Sequence, residues 1–134
     1  MQFENLPRLE SFLTFNNLLP IMQRINHNNW VKGKSYQKRI LIEELKNKIN
    51  LIEDVIVAPK GEIPCHSHDF TDEIFYIINN SAIMIVNNQE FKVNPGDMIY
   101  VDKNESHGFR NESDKEFKMI VFKINFKKGD SFLK

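Results

Sequence analysis

The chain has 134 residues, and its 18 Lys and Arg are matched by 18 Asp and Glu, so the formal net charge is zero. That length suits one domain large enough to bury a real core, and the lack of a basic field argues against nucleic acid as a partner. The single cysteine, Cys65, excludes an intrachain disulfide and suits a reducing interior.

No positively charged start leads into an apolar run, and no segment approaches about 18 consecutive apolar residues. Neither a signal peptide nor a membrane span is therefore expected, and a cytoplasmic location is the expectation. Residues 1–33 differ in texture from the rest and form the first of two expected regions, an N-terminal helical extension. Leu6, Leu9, Phe12 and Leu13, then Leu18, Ile21, Met22 and Ile25, recur at helical spacing. Pro7 and Pro20 suit first-turn positions, and Asn17 suits a cap. Two short helices follow from this, with an apolar stripe that would pack on a sheet or on a second subunit. The segment is too short, too proline-punctuated and too weakly charged to favour a DNA-binding helix-turn-helix. His27 stands among asparagines as an expected surface residue, and Trp30 as an expected packing anchor.

The second region, 34–134, reads as β throughout. Residues 36–43 form a strand, and 43–48 can add a helical turn before the strand at 51–58. A turn at Lys60 and Gly61 leads into G-E-I-P-C-H-S-H, and Glu73 opens the strand E-I-F-Y-I-I. Asn79-Asn80 and Asn87-Asn88 make hairpin turns because asparagine accepts the left-handed conformation. After Asn94-Pro95-Gly96 come strands at 97–101, 106–110 and 116–126. About nine short strands between turn residues are the pattern of a sandwich or barrel.

Within this region three metal-ligand candidates, His66, His68 and Glu73, lie close together, and His107 follows on a later strand. Side chains two apart on a strand share a face, so His66 and His68 point into one interior while Cys65 and Ser67 point outward. Imidazoles with a carboxylate make a mixed nitrogen and oxygen site for a first-row divalent metal. An isolated H-x-H would more readily be a pair of exposed histidines, but the carboxylate and His107 accompany this one.

Residues 61–80 resemble the first motif of the cupins: a glycine, H-x-H, a glutamate and a closing glycine. Residues 96–111 resemble the second, with Gly96, His107 and Asn111 at its spacing. Gly61 stands one residue closer to His66 than usual, Asn80 replaces the closing glycine, and Asp102 and Asn104 replace a proline and a glycine. Asn and Asp tolerate positive φ, so these swaps preserve turns. The resemblance implies an all-β, double-stranded β-helix (jelly-roll) barrel, to which the helical spacing of residues 1–33 adds a short N-terminal helical extension. It also implies a divalent transition metal (zinc, nickel, manganese, iron or copper) on His66, His68, Glu73 and His107.

If Glu73 and His107 face inward, so do Phe75, Ile77 and Phe109, and the last strand is apolar on both faces. A mostly apolar cavity is expected, with the metal as its main polar feature and no general base besides the ligands. Phe75, Phe109, Tyr36 and Arg39 are candidate contacts for a substrate; Lys38 is another, although solvent exposure is the favoured reading of the first-strand residues. Tyr76 and Tyr100 alternate outward, and Asn111 is expected to bond backbone. The expected function is a metal-binding cupin that engages a small organic ligand, a carboxylate, sugar or keto compound. As an enzyme it would be a metal-dependent isomerase, lyase or dioxygenase. The alternatives are a non-catalytic sensor or storage module and a metal-free barrel with a structural or interaction role. A homodimer is expected, since such barrels pair sheet edges.

Overall fold

The computed structural model describes residues 28–43 and 48–133. The expected N-terminal helices and His27 lie outside the described residues, as does most of the helical turn expected at 43–48. The rest is β, as expected. The first strands are β1 (Val31–Lys32), β2 (Tyr36–Glu43), β3 (Ile49–Val57), β4 (Glu62–Ser67) and β5 (Asp72–Asn79). They are followed by β6 (Ala82–Val86), β7 (Gln89–Val93), β8 (Met98–Val101), β9 (His107–Arg110), β10 (Phe117–Ile124) and β11 (Phe132–Leu133).

Two antiparallel sheets face each other, one in the order β1-β2-β3-β10-β5-β8 and the other β11-β4-β9-β6-β7. β1 pairs with β2 through Val31 and Lys32, so the larger sheet begins just ahead of residue 34. Trp30 lies beneath the Arg39 guanidinium, 4.8 Å from its ring centroid.

The turns carry the backbone conformations that their residues allow. Asn80, Asn87, Asn88 and Asn104 all adopt positive φ, at 69°, 48°, 69° and 71°. Asn80 and Asn104 thus do the work of the two glycines that the cupin motifs place there. The core forms where alternate residues of both sheets point inward: Val55, Val57, Phe75, Ile77, Met84, Phe109, Phe117 and Met119 are all buried. Each such side chain contributes about 1.5–3 kcal/mol on burial. Phe117, Phe109 and Phe75 stack in succession, with centroids 5.8 Å and 5.1 Å apart, and Phe75 then meets the His107 ring at 5.6 Å. The core therefore ends against a histidine.

Candidate metal centre

His66 and His107 are partners across the β4–β9 ladder. That ladder slips between Ile63 and His66: Ile63 pairs with Phe109 and His66 with His107, so three steps on β4 match two on β9. Pro64, which has no N–H to give the ladder, sits inside the slip. This bulge matters for function. Without it, strict alternation from the inward Ile63 would turn Cys65 and Ser67 inward and both histidines outward. Gly108 permits the close approach of the two strands, for a Cβ there would lie 2.7 Å from the Ile63 carbonyl and 2.9 Å from Cys65 Sγ.

The four predicted ligands converge, with one ligand atom from each lying within 4.8 Å of all the others. His68, Glu73 and His107 are buried, and His66 is half-buried. The imidazole centroids are 4.6–5.4 Å apart. Each ring is fixed through Nδ1 by a backbone carbonyl: His66 by Pro64 at 2.8 Å, His107 by Glu105 at 3.0 Å, and His68 by Asp130. With Nδ1–H donating, the Nε2 lone pair of each ring is turned to the common point.

Three of the converging atoms, His68 Nε2, His107 Nε2 and Glu73 Oε1, are buried and have no hydrogen-bond partner. Glu73 Oε1 lies 2.5 Å from His68 Nε2 and 3.7 Å from His107 Nε2. Acceptors brought this close without partners are costly in a buried place, and either a proton or a cation between them removes the cost. The donor set and its orphaned atoms therefore fit a divalent transition metal.

The titration behaviour follows from the same contacts. Burial and the neighbouring His107 hold the His66 pKa below its ordinary value despite the Pro64 carbonyl. Burial also opposes the charge on His68, but the Glu73 carboxylate and the Asp130 carbonyl outweigh it and raise the pKa. Glu73 is held well below the usual carboxylate range: burial works against its charge, but the His107 and His68 rings and the Lys123 ammonium prevail.

The ligands line a cavity of about 430 Å³. Phe75, Phe109 and Tyr36 line it as expected, together with Lys38. Arg39 does not. Alternation along β2 puts it on the opposite face from Tyr36 and Lys38, where its guanidinium makes two hydrogen bonds to Asp54 Oδ2, at 2.8 and 3.0 Å. Tyr76 and Tyr100 are exposed, and Asn111 bonds the carbonyls of Val57, Ala58 and Lys115.

The expectation of an apolar cavity without a further carboxylate needs correcting. Glu53, 4% exposed, lines the cavity with Lys38 and Lys123. Its carboxylate meets Lys123 at 3.1 Å and Lys38 at 3.6 Å. A second unforeseen group is Asp130, next to β11. Its carbonyl holds His68, while its carboxylate accepts from the N–H groups of Asp69, Phe70 and Thr71 and from the Thr71 hydroxyl. The alternation of E-D-V-I-V places Glu53 on the buried face of β3 with Val55, a signal available once that face is known. Nothing in the local sequence marks Asp130.

Two facing antiparallel sheets, closed around three imidazoles and a carboxylate, define a double-stranded β-helix protein with a candidate metal centre. Residues 53–123, more than half of the chain, match the cupin domain family, and the chain belongs to that family. Quercetin 2,3-dioxygenase of Bacillus subtilis (strain 168) is 38% identical over 57 residues, 42% of this chain but only 17% of the dioxygenase. The polyketide cyclase RemF of Streptomyces resistomycificus has a TM-score of 0.69 at 21% identity, over 84% of this chain and 85% of its own. A predicted oxalate decarboxylase from Thermotoga maritima has a TM-score of 0.64 at 22% identity, over 68% of this chain and 81% of its own. At such identities these two structures share the fold. No helix among the described residues is long and apolar enough to cross a membrane.

Proposed function

We propose that His66, His68, Glu73 and His107 hold a divalent transition metal, and that the cavity beside them binds a small oxygen-bearing organic molecule. The observation that carries this reading is the trio of buried, partnerless atoms turned to one point. A bound metal would act as a Lewis acid toward oxygen donors of the ligand, or as a redox centre if it is iron or copper. The chain's own residues supply the rest. Backbone carbonyls set the imidazole tautomers, while Phe75 and Phe109 wall the centre on its core side and exclude water there. Glu53 adds a carboxylate within the cavity that can accept a proton from a bound molecule. The reactions named for similar proteins differ, but quercetin, a polyketide and oxalate are all oxygen-rich, which supports a ligand of that kind.

Metal analysis of protein purified without chelator tests the reading. About one transition-metal ion per chain is expected in the native protein, and negligible metal in the His66→Ala/His107→Ala double variant. Equally negligible metal in both, after incubation with zinc, nickel, manganese and iron(II), would overturn it.

A further inference from the structure

Glu73 is the end of a charged row on the inner face of the larger sheet, and the other three members are not needed to hold a metal. Lys38 on β2, Glu53 on β3, Lys123 on β10 and Glu73 on β5 follow one another across four adjacent strands, alternating in sign. Lys123 is the cross-strand partner of Glu73, so its ammonium and the metal centre are neighbours. Glu53 uses one oxygen on each lysine, Oε1 on Lys123 and Oε2 on Lys38. Glu53 offsets one of the two ammonium groups; Glu73 is the counter-charge for the other, and it is the carboxylate that the metal reading commits to the ion.

Lys123 is the informative member. Its side chain is 12% exposed, and it belongs to the cavity rather than the outer surface. An ammonium has three donors; Glu53 takes one, and the Phe126 ring lies 5.3 Å away as a weaker neighbour. A cation sequestered in this way persists when anionic groups balance it, and once Glu73 is engaged by a divalent ion the internal balance is incomplete.

We propose that the cavity is built for a small organic dianion. One oxygen group of the ligand meets the metal centre, and a carboxylate at its other end meets Lys123. Glu53 is the resident counter-ion that the incoming carboxylate supplements. This assignment rests on the metal reading above and narrows its ligand class. The cross-strand pairing of Lys123 with Glu73 keeps the two anchor points close, so the ligand is short, with a few carbons between its charged ends. Its size agrees with a cavity of about 430 Å³, near the lower end of the usual range for small-molecule sites.

Matched probes test the charge requirement. Malonate and succinate are compared with propionate and butyrate, the same molecules with one carboxylate replaced by methyl, by calorimetric titration into zinc-loaded protein. The dicarboxylates are expected to bind about tenfold more tightly, the effect of one charge-assisted hydrogen bond. Lys123→Met should bring that ratio close to one with the zinc content unchanged. Glu53→Gln should raise dicarboxylate affinity, because it removes a competing negative charge. If Lys123→Met fails to fold, the Lys123→Gln/Glu53→Gln double variant removes both charges together and should show the same loss of preference. A native ratio near one, an unchanged ratio in the Lys123 variants, or weaker dicarboxylate binding in Glu53→Gln would overturn the proposal. Zinc content is measured on the same samples. Protein that takes up neither zinc nor nickel, manganese or iron(II) sinks the metal reading and this inference with it; metal-loaded protein indifferent to the second carboxylate sinks this inference alone.

Discussion

His66 and His68 are two residues apart and respond to burial in opposite ways. The His68 ring has the Glu73 carboxylate 2.5 Å from Nε2, and its pKa lies above the ordinary 6.5. A proton there stabilises the metal-free fold below the ordinary value, and that stabilisation is lost as pH rises through the raised one. His66 is depressed by burial, so the fold disfavours its charged form and stability is withdrawn as pH falls through 6.5. In the metal-free protein, NMR titration should therefore show His68 taking its proton before His66, with a midpoint above 6.5 for His68 and below 6.5 for His66. In His66→Asn, where the opposing group is gone, metal-free stability should rise as pH is lowered from about 8 to 6. Metal binding requires neutral imidazoles, so occupancy should move the opposite way and fall as pH drops, beginning where His68 takes its proton, above about 6.5. Reversed protonation of the two histidines would show that the His68–Glu73 contact does not form in solution.

At the scale of elements, β11 acts as a strap. It pairs with β4 beside His66 and Ser67, and Asp130 just before it gathers the 69–71 bend that joins β4 to β5. Lys127 lies over the Phe70 ring, 4.0 Å from its centroid, and clamps the same bend. The bend carries His68 at one end and leads to Glu73 at the other, so the strap fixes the separation of two candidate ligands. Burial works against the Asp130 charge, but its hydrogen bonds from Asp69, Phe70 and Thr71 keep the carboxyl below its ordinary value. Asp130→Ala should cost about 2–4 kcal/mol of stability and weaken zinc binding about 10–100-fold, as loss of an outer support does. Chemical denaturation and calorimetric zinc titration of the same variant check both. A variant unchanged in both would show that the strap only covers the site.

These elements also show what can be read before a fold is known. The four candidate ligands are visible in the chain because an H-x-H pair, a nearby glutamate and one later histidine form a local pattern, although the register slip on β4 that turns the histidines inward is not visible there. The turn asparagines are visible for the same local reason. Glu53 and Lys123 are not, because their meeting depends on how β3 and β10 pair across some seventy residues of chain. A single alternation on β2 decides that Lys38 faces the cavity and Arg39 faces Asp54. Asp130 contacts His68 through a backbone carbonyl, which any residue type offers, so composition and motif carry no trace of it.

At the scale of the molecule, the outer face of the larger sheet is the unusual surface. Near its β8 edge Tyr76, Ile78, Met98 and Tyr100 are exposed, with Tyr76 opposite Met98 in the ladder and Tyr100 opposite Ile74. A sheet edge flanked by large apolar side chains invites another strand or another face, and folded proteins usually cover or charge such edges. No charged residue interrupts β8 itself, Met98–Val101. The chain's zero net charge adds no long-range repulsion between copies. A homodimer that buries this edge is the expected state, and size-exclusion chromatography with light scattering reads it directly. Met98→Lys/Tyr100→Lys should convert the dimer to a monomer with unchanged circular dichroism and zinc content, since neither side chain reaches the cavity. A native protein that runs as a monomer at high micromolar concentration would remove the dimer. A doubly substituted protein that stays dimeric would move the interface to another face of the barrel.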